Sequence, residues 1–560
     1  MRHSTTAALA GITLLGLLLH LLPVTRTLYW GADFGEYHAI TQQLLRDGIV
    51  SLDYRGWGTA YPYFPGMHLA QAAGVFAGVP PMAAEVLLVP ALSSVSIVLA
   101  FLLAVRLTRD DRVGLAAAAF LAVIMPHVYL TAHAVPAALG DPLFAACLLG
   151  ILRMRSDRRW LPVLLILTAA LVVTHHLTTY FLIVAATLAL ALRILVSARQ
   201  GGRSWLREGA YLAALLVGSF TYWIGFATPF RAQILPQVAV PWPLLIAASL
   251  LVVPVLYALR RLRPRWRWRY TPRYPSRARA AKLLGVGVAG VFVFLSIVIL
   301  VTGIPGSSVR PPPETLLLFA PVLGLFAFSA AGRRPMDFHR GGIDVSAWFL
   351  AFGLSALAGT VVATTVLVPY RHMHILMWPT AVFAGLGMRA LLTRTPMTAN
   401  RRASALAVIA ALLLAAVPAT FPPRDVMAGH EEGLPAQALG APLWLRSRGW
   451  GLVGSDHMGS MAAFGFGGRD AVWDYSPDLL RSDTFDDARG DFANASFPAG
   501  RDRVRFVLIN DDIEAGAMLL PWDPALPLTA EESGKFEDAP FHRVYDDGYS
   551  RVYYLNWGLT

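Results

Sequence analysis

The chain has 560 residues, of which 56% are hydrophobic and only 15% are charged. This composition, with a mean hydropathy of +0.53, excludes a soluble multidomain protein over most of the length and is typical of membrane proteins. The net charge is +12, but the arginines lie in short gaps between apolar runs, which argues against nucleic-acid binding. The one cysteine, Cys147, excludes an intrachain disulfide and a cysteine-based metal site.

The sign of the charge changes along the chain. Residues 1–423 hold 35 basic and 13 acidic side chains, whereas residues 424–560 hold 12 basic and 22 acidic ones. This change predicts a boundary between a transmembrane domain at residues 1–420 and a smaller domain at residues 421–560.

Apolar stretches close to the roughly 17–25 residues that a bilayer requires recur along the first domain. They predict about thirteen transmembrane helices. These lie near residues 6–24, 84–106, 113–130, 138–152, 160–174, 177–196, 209–227, 241–259, 283–303, 314–331, 346–368, 373–391 and 403–420.

The distribution of arginine predicts the orientation of these spans, because loops rich in positive charge stay in the cytoplasm. With a cytoplasmic amino terminus, the inner loops hold 29 of the 35 basic residues of the membrane region. Ten of them lie in the loop 260–282, whose charge suits anionic headgroups at the inner surface. We therefore expect a multi-pass protein of the cell membrane, with residues 421–560 outside the cytoplasm.

The second domain has the patterns of a small α/β domain. Residues 504–509 predict a strand, and Asp546-Asp547-Gly548 predicts the turn of a terminal hairpin. Residues 451–470 predict a strand, a loop, a helix and a turn, and their glycines lack the spacing of a dinucleotide-binding motif. The fold class is thus a mostly α-helical polytopic membrane protein with a small α/β extracytoplasmic domain at the carboxyl end.

The first outer loop, residues 25–80, carries ionisable side chains at the membrane boundary, where such groups are costly unless they are exposed, paired or functional. Asp33 comes directly after the first span. Asp33, Glu36 and Tyr37 are three and four residues apart, so one side of a helical turn can present all three. Asp33 also suits the N-cap of an amphipathic helix predicted over residues 36–45, and that interpretation stays open.

The same loop ends in a stretch rich in tyrosine and proline, Tyr61-Pro62-Tyr63-Phe64-Pro65, and His68 follows shortly after. This composition predicts a rigid segment near the lipid headgroups. Tyr61, Tyr63 and His68 are therefore candidate substrate contacts, together with Tyr37.

Three other turns carry polar side chains to the same leaflet. They contribute His133 and Asp141 between the third and fourth spans, His175 and His176 between the fifth and sixth, and Arg371, His372 and His374 between the eleventh and twelfth. Arg371 is the strongest signal, because a guanidinium binds phosphate bidentately and outer arginines are rare; snorkelling to ordinary headgroups is the alternative. Glu314, at the outer end of the tenth span, is either a ligand or a carboxylate that stabilises a helix N-terminus.

This arrangement resembles the GT-C superfamily of polytopic membrane glycosyltransferases, which take a sugar from a polyprenyl-phosphate or polyprenyl-pyrophosphate carrier. Four features carry the likeness. They are the acidic motif at residues 31–38 with a helix ending in Asp47-Gly48, the stretch from Tyr61 to His68, the late outer Arg371 followed by Pro379, Gly385 and Gly387, and the layout of spans before an outer domain. That layout is most similar to the catalytic subunit of oligosaccharyltransferases.

The resemblance implies roles for individual residues. Asp33 corresponds to the catalytic acid of the first loop, and Glu36 belongs to the same acidic motif. Arg371 corresponds to the residue that holds the carrier phosphate, with His372 or His374 as helpers.

The resemblance also bears on cofactors. Asp141 corresponds to the acid of the second outer loop and Glu314 to a late outer-loop acid. Together with Asp33 they offer hard oxygen ligands for magnesium or manganese, so we expect either such a metal or no cofactor at all.

Two motifs depart from oligosaccharyltransferases: Asp141 stands alone where they carry paired acids, and Trp473-Asp474-Tyr475 lacks the second Trp and the Gly of their Trp-Trp-Asp-x-Gly motif. We therefore expect an inverting transferase that moves a sugar from polyprenyl or dolichyl phosphate to an extracytoplasmic glycan, lipid or protein acceptor, with Asp33 as base. Oligosaccharyltransferase-like transfer to protein asparagine is the alternative. A transporter or flippase is the competing class, which the gathering of polar residues at one face disfavours.

Overall fold

The structure is a computed structural model. It describes residues 3–196, 204–234, 314–339, 341–362, 369–393, 398–424, 432–448, 450–472, 476–516 and 527–559, with residues 251, 254, 255, 258 and 367. The predicted span 283–303, most of the predicted span 241–259, the basic loop 260–282 and the Trp473-Asp474-Tyr475 motif lie outside the described residues.

Helices dominate what the structure describes. In the region of the predicted spans they are His3–Leu21, Phe34–Asp47, Gly66–Phe76, Pro81–Ser93, Val95–Thr108, Asp111–Val123, Met125–Thr131, Pro136–Met154, Trp160–Thr174, His176–Val196, Ser204–Phe220, Thr228–Ile234, Glu314–Met336, Gly342–Val362, Met373–Thr393 and Ala399–Ala415. Beyond residue 420 they are shorter: Gly440–Arg448, His457–Gly465, Ser476–Arg481, Phe485–Ala493, Asp511–Glu514 and Ala530–Gly534.

Among the described residues, eight helices are long and apolar enough to cross a membrane, or up to nine if a bent pair counts as one span. The predicted multi-pass character is confirmed, whereas the predicted count of thirteen is not. The bent pair is Asp111–Val123 with Met125–Thr131, which meet at 62° where a single span was predicted. The break follows from Ile124, which is extended, and from Pro126, which has no N–H to continue the first helix.

Glycines allow close packing of the helix that follows Arg371. A Cβ added at Gly332 in Glu314–Met336 would collide with the carbonyl oxygen of Phe383, and one at Gly387 would collide with the backbone of that neighbouring helix. Small residues at such crossings let membrane helices approach closely enough for extensive van der Waals contact. The helix Met373–Thr393 is thus held firmly in the bundle.

The first-loop helix, Phe34–Asp47, includes the amphipathic helix predicted over residues 36–45. It ends at Gly48, whose φ of 72° suits glycine and whose N–H bonds the Leu44 carbonyl. Its buried face packs against the helix His457–Gly465 near the carboxyl end of the chain, where Gly35 lies directly on the backbone of that helix.

The carboxyl-terminal region contains a four-stranded sheet. Its strands lie in the order Leu452–Gly454, Val504–Asn510, Ser550–Leu555 and Phe541–Asp546, with the first pair parallel and the other pairs antiparallel. The predicted strand at 504–509 and the terminal hairpin are present, and the hairpin turns at Gly548 with a φ of 87°. A second hairpin pairs Ala495–Phe497 with Gly500–Asp502.

A short strand pair joins the first loop to the carboxyl-terminal region. Tyr29–Trp30 runs antiparallel to Gly433–Leu434, with Tyr29 opposite Leu434. Because these segments are about 400 residues apart in sequence, the pairing places the first loop and the carboxyl-terminal sheet at the same end of the helical bundle.

Candidate active site

Asp33 occupies the N-cap position of the first-loop helix, but its side chain makes no capping hydrogen bond. The carboxylate instead accepts a hydrogen bond of 2.8 Å from the Tyr61 hydroxyl and lies 3.6 Å from Nε2 of His457. Its side chain remains 32% exposed. Asp33 therefore faces a neighbourhood assembled from the first loop and the carboxyl-terminal region.

A third segment of the chain, the turn that contains Arg371, also acts on Asp33 through its charge. Burial by itself would raise the pKa of Asp33, but contacts with His457 and Tyr61 and the charge of Arg371 hold that pKa below its usual value. Asp33 is therefore ionised at neutral pH. The effect also shows that the Arg371 guanidinium lies within electrostatic range of this carboxylate.

Arg371 lies in the short 3₁₀ turn Pro369–His372, immediately before the helix Met373–Thr393, and is half-buried. Its charge acts on Tyr37 and His175 as well as on Asp33. The structure thus brings the predicted first-loop acid and the predicted phosphate-binding arginine to one end of the bundle.

Tyr61, Tyr37 and His68 form an aromatic row beside Asp33. The rings of Tyr37 and Tyr61 are 5.0 Å apart, and those of Tyr37 and His68 are 6.1 Å apart. His68 is fully buried, with Nδ1 bonded to the Thr41 hydroxyl at 2.8 Å and with no partner for Nε2 among the described residues. The row fixes the position of the Tyr61 hydroxyl on Asp33.

The Glu36 carboxylate is bonded to the loop that follows the first-loop helix. It is buried and accepts hydrogen bonds from the Tyr54 hydroxyl, from the Trp57 backbone N–H at 2.8 Å and from the Gly58 N–H at 3.3 Å. Burial raises the pKa of Glu36 to about 7, with these hydrogen bonds opposing the shift and the Asp33 charge adding to it. Glu36 is placed to shape the loop around Asp33.

Glu85 holds the first-loop helix against the bundle. It is buried and accepts hydrogen bonds from the Tyr29 hydroxyl, from Nδ1 of His38 at 2.7 Å and from Nε2 of Gln42 at 2.7 Å. Its helix, Pro81–Ser93, begins the next span, so the first loop is fixed at both ends.

Asp141 lies elsewhere, inside the helical bundle. It is fully buried, and its carboxylate accepts hydrogen bonds from Ser96 at 2.7 Å, His127 at 3.0 Å and Trp378 at 2.9 Å. No hydrogen bond or ion pair among the described residues joins Asp141 to Asp33. The outer-loop placement expected for Asp141 differs from this position because its helix already begins at Pro136.

The two histidines that follow Arg371 are also buried. Nε2 of His372 bonds the Ser355 hydroxyl at 2.8 Å, and its ring meets Phe181 edge-on at 4.8 Å. Both ring nitrogens of His374 are buried without a hydrogen-bond partner among the described residues. Of these three neighbours in sequence, Arg371 is the one with an exposed part.

The structure also describes the three other histidines that were predicted as substrate contacts, His133, His175 and His176. His133 stacks on Trp30 at 5.7 Å, and Nδ1 of His175 bonds the Thr178 hydroxyl at 2.7 Å. His176 contacts an aromatic cluster through Phe230, with ring centres 4.6 Å apart.

Tyr63 belongs to the same aromatic cluster. Its carbonyl accepts a hydrogen bond from the Tyr222 hydroxyl at 2.5 Å, and its ring meets Phe226 edge-on. Glu314 begins the helix Glu314–Met336, and its side chain lies outside the described residues.

Of the three carboxylates predicted to hold a metal, the structure describes the side chains of Asp33 and Asp141 but not that of Glu314. The described residues contain no group of three or more His, Cys, Asp or Glu side chains placed to hold a metal ion. Both oxygens of Asp141 already accept hydrogen bonds within the bundle. The Asp141 carboxylate is thus engaged by the helices that surround it.

His457 is a site residue that the sequence analysis does not predict. It begins the helix His457–Gly465, whose N-cap Asp456 accepts a 2.7 Å hydrogen bond from the Gly459 N–H. Burial raises the pKa of Asp456 to about 6. The one available signal is a histidine directly after an N-cap aspartate in a glycine-rich segment, and nothing in the sequence connects that segment to Asp33.

Comparisons with known proteins address the fold. No protein-family model and no curated protein matches the chain. Among solved structures, the chain is similar to the oligosaccharyltransferase of Archaeoglobus fulgidus, crystallised with Zn and sulfate, with a TM-score of 0.58 and 14% identity over 91% of this chain and 68% of that chain. The chain has the GT-C fold.

Two further solved structures align over more of the chain, but with lower TM-scores. ArnT from Cupriavidus metallidurans bound to undecaprenyl phosphate has a TM-score of 0.41 and 14% identity, over 99% of this chain and 98% of that chain. The same protein in its apo state has a TM-score of 0.42 and 12% identity, over 98% of each chain. The resemblance to the GT-C superfamily is confirmed at the level of the fold, on the strength of the first similarity.

Proposed function

We propose that the protein is an integral membrane glycosyltransferase that moves a sugar from a polyprenyl-phosphate carrier to an extracytoplasmic acceptor, with inversion at the anomeric carbon. One observation carries the proposal: Asp33 of the first loop lies within electrostatic range of Arg371, which begins a late span, in a chain with the GT-C fold.

Arg371 is suited to the phosphate of a carrier whose chain lies in the bilayer. The guanidinium is half-buried in the turn directly before the helix Met373–Thr393, and we expect the carrier phosphate at this end of the span. Its fixed fork of N–H donors matches phosphate oxygens bidentately. During transfer the bond between the anomeric carbon and the carrier phosphate breaks, and Arg371 stabilises the negative charge that develops on the departing phosphate.

Asp33 is suited to the acceptor. Its carboxylate is ionised and partly exposed, so it can accept the proton of an acceptor hydroxyl while the hydroxyl oxygen bonds the anomeric carbon. Tyr61 and His457 hold the carboxylate in one orientation. A single displacement of this kind inverts the anomeric centre. Each step in this scheme is assigned to side chains of the protein.

Two other functions have an observation in their favour. Transfer to protein asparagine is favoured by the fold similarity to an oligosaccharyltransferase, with the acceptor motif incomplete at Trp473. A transporter or flippase is favoured by the buried pair of Asp141 and His127 inside the bundle, because ionisable residues within spans often mark transport pathways. The Asp141 carboxylate of that pair accepts three hydrogen bonds from neighbouring helices, which favours a role in packing and hence the transferase.

Donor consumption in liposomes tests the proposal. The purified protein is incubated with labelled polyprenyl-phosphate sugars and candidate acceptors, and the release of polyprenyl phosphate is measured. General-base action and phosphate stabilisation are each worth about a hundredfold or more, so Asp33→Asn and Arg371→Ala should each transfer at about a hundredth of the wild-type rate or less.

Two matched variants serve as controls. Asp47→Asn changes an exposed carboxylate at the other end of the same helix, and Arg231→Ala changes an exposed arginine in the short helix Thr228–Ile234. Both should keep the wild-type rate. Movement of intact donor across the liposome without cleavage would instead support the flippase, and no consumption of any donor would contradict the transferase.

A further inference from the structure

A cavity of about 460 Å³ lies among the ends of several bundle helices. Its lining includes Arg106, Arg109, Arg155, Arg193, Ser156 and Thr108, together with apolar side chains. None of these residues belongs to the site around Asp33.

This cavity, the arginine cavity, lies at the end of the bundle opposite to Asp33. The helix Met373–Thr393 begins beside Arg371, and near its other end Arg389 bonds Asp110 at 3.0 Å, next to the cavity residue Arg109. A helix of 21 residues is roughly 30 Å long. The arginine cavity and the candidate active site therefore lie about one membrane thickness apart.

Two of its arginines are neutralised by carboxylates. Arg155 makes a bidentate pair with Asp344, both hydrogen bonds being 2.8 Å, and bonds Glu208 through Nε at 3.0 Å. Arg193 bonds both oxygens of Glu208, at 2.7 and 2.6 Å. These four groups form a rigid, charge-balanced wall.

The other two arginines leave an excess of positive charge. Arg106 donates to the Ser156 hydroxyl at 2.8 Å and to the Leu152 carbonyl at 3.1 Å, and no carboxylate among the described residues pairs with it. Arg109 is exposed and makes no hydrogen bond or ion pair through its side chain among the described residues. Two guanidinium charges thus face the cavity without a carboxylate partner in the part of the chain that the structure describes.

The backbone at Arg109 supports a role for its side chain. Arg109 ends the helix Val95–Thr108 with a φ of 61°, in the left-handed region where glycine is favoured at a helix end. A residue other than glycine adopts this backbone conformation at a cost in conformational energy. Residues in such conformations are frequent at sites that bind a ligand. The opposite wall approaches closely, because Gly341 packs directly against Leu107.

We propose that the arginine cavity binds a phosphate group. Two guanidiniums that have no carboxylate partner among the described residues can hold phosphate oxygens bidentately. Apolar side chains, including Leu107, Phe338 and Ile343, complete the lining, so the cavity can hold a phosphate with an attached lipid chain as well as free phosphate. The shared chemistry is the phosphate dianion, and the site does not depend on the proposed catalysis.

Binding measurements on the full-length Arg371→Ala protein test this site, because that background removes the predicted outer phosphate contact. The first arm titrates inorganic phosphate by calorimetry in detergent. The second arm titrates phosphatidic acid in phosphatidylcholine nanodiscs and counts bound lipid by native mass spectrometry. Saturable binding in the first arm alone identifies a soluble phosphate as the ligand class, and binding in the second arm identifies a lipid headgroup.

The decisive comparison adds Arg106→Gln and Arg109→Asn to this background; asparagine tolerates the left-handed backbone that residue 109 requires. We expect the double variant to bind the phosphate probe at least fivefold more weakly, and the control Arg334→Gln, an exposed arginine in Glu314–Met336, to bind as the parent does. A loss smaller than fivefold, or no saturable binding of either probe, overturns the proposal.

Folding is checked by thermal unfolding of each variant. Should the double variant unfold early, the single variant Arg109→Asn carries the same test, because Arg109 is exposed and its side chain makes no hydrogen bond or ion pair among the described residues.

Discussion

Asp33 and Asp141 are the same residue type with related predicted roles, yet the structure places them in opposite environments. Asp33 is 32% exposed and shares its carboxylate between Tyr61 and His457. Asp141 is fully buried, and three side chains from three other helices donate to it. One carboxylate has room for a substrate hydroxyl, whereas the other is saturated.

The role of an acidic residue near a membrane boundary therefore depends on its neighbours in the fold rather than on its position in the sequence. A buried carboxylate with every oxygen satisfied stabilises the packing of the helices that supply its donors. A carboxylate at a loop end, oriented by two contacts and open on one side, is available for chemistry.

The largest expected effect on stability is at Asp141. Asp141→Asn should lower the free energy of unfolding by about 2–3 kcal/mol, because an amide cannot accept from Ser96, His127 and Trp378 at once. Asp33→Asn should lower it by less than about 1 kcal/mol, as for a partly exposed ion pair. Denaturant unfolding of the solubilised protein followed by circular dichroism measures both. A larger loss of unfolding free energy in Asp33→Asn than in Asp141→Asn would contradict the different roles assigned to these two residues.

The next effect is on catalysis through His457. His457→Ala should lower kcat about fivefold with a smaller change in KM, because the imidazole lies 3.6 Å from the partly exposed Asp33 carboxylate and a contact of this kind is worth up to about 1 kcal/mol. His457→Gln should recover part of the rate. His542→Ala, an exposed histidine of the terminal hairpin, is the matched control and should be unaffected. An unchanged kcat in His457→Ala would remove this residue from the site.

A smaller effect is expected at Tyr61. The Tyr61 hydroxyl is one of the contacts that lower the pKa of Asp33, so Tyr61→Phe should raise that pKa. In the proposed mechanism Asp33 acts in its ionised form, so the acid limb of the kcat/KM profile should move to higher pH. At neutral pH, where Asp33 stays ionised, a loss of about twofold to threefold should follow because the carboxylate loses the hydrogen bond that orients it. Tyr545→Phe, which removes a hydroxyl bound to Asp547 in the terminal hairpin, should leave the profile in place. A shift to lower pH would contradict the assignment.

The smallest effect is expected from metal removal. Because Asp141 is saturated and the described residues place no three metal-binding side chains together, exhaustive chelation should change the transfer rate less than about twofold. The rate is compared before and after dialysis against a chelator, with magnesium or manganese added back. A loss restored by one of these ions would show that Asp33 works with a metal.

Local features of the fold could be predicted from the sequence. The helix Phe34–Asp47, the strand Val504–Asn510 and the hairpin at Gly548 follow from hydrophobic period and turn chemistry within a few residues. The GT-C fold could be recognised because its motifs and its layout of apolar spans are visible in one dimension.

The composition of the site could be predicted only in part. Asp33 and Arg371 stand out by residue type, because ionisable groups at the outer boundary are rare. The depth of Asp141 could not be predicted, since its donors lie on separate helices whose packing the sequence does not encode locally. His457 could not be linked to Asp33, because the contact depends on packing between the first-loop helix and a helix near the other end of the chain.

The most direct test of the central claim is sugar transfer by Asp33→Asn from a labelled polyprenyl phosphate in liposomes, measured together with donor binding. The account predicts binding close to wild type and transfer at about a hundredth of the wild-type rate or less, because the donor phosphate contacts Arg371 and the missing group is the base. Transfer above roughly a tenth of the wild-type rate would contradict the account, since a general base supplies at least a hundredfold.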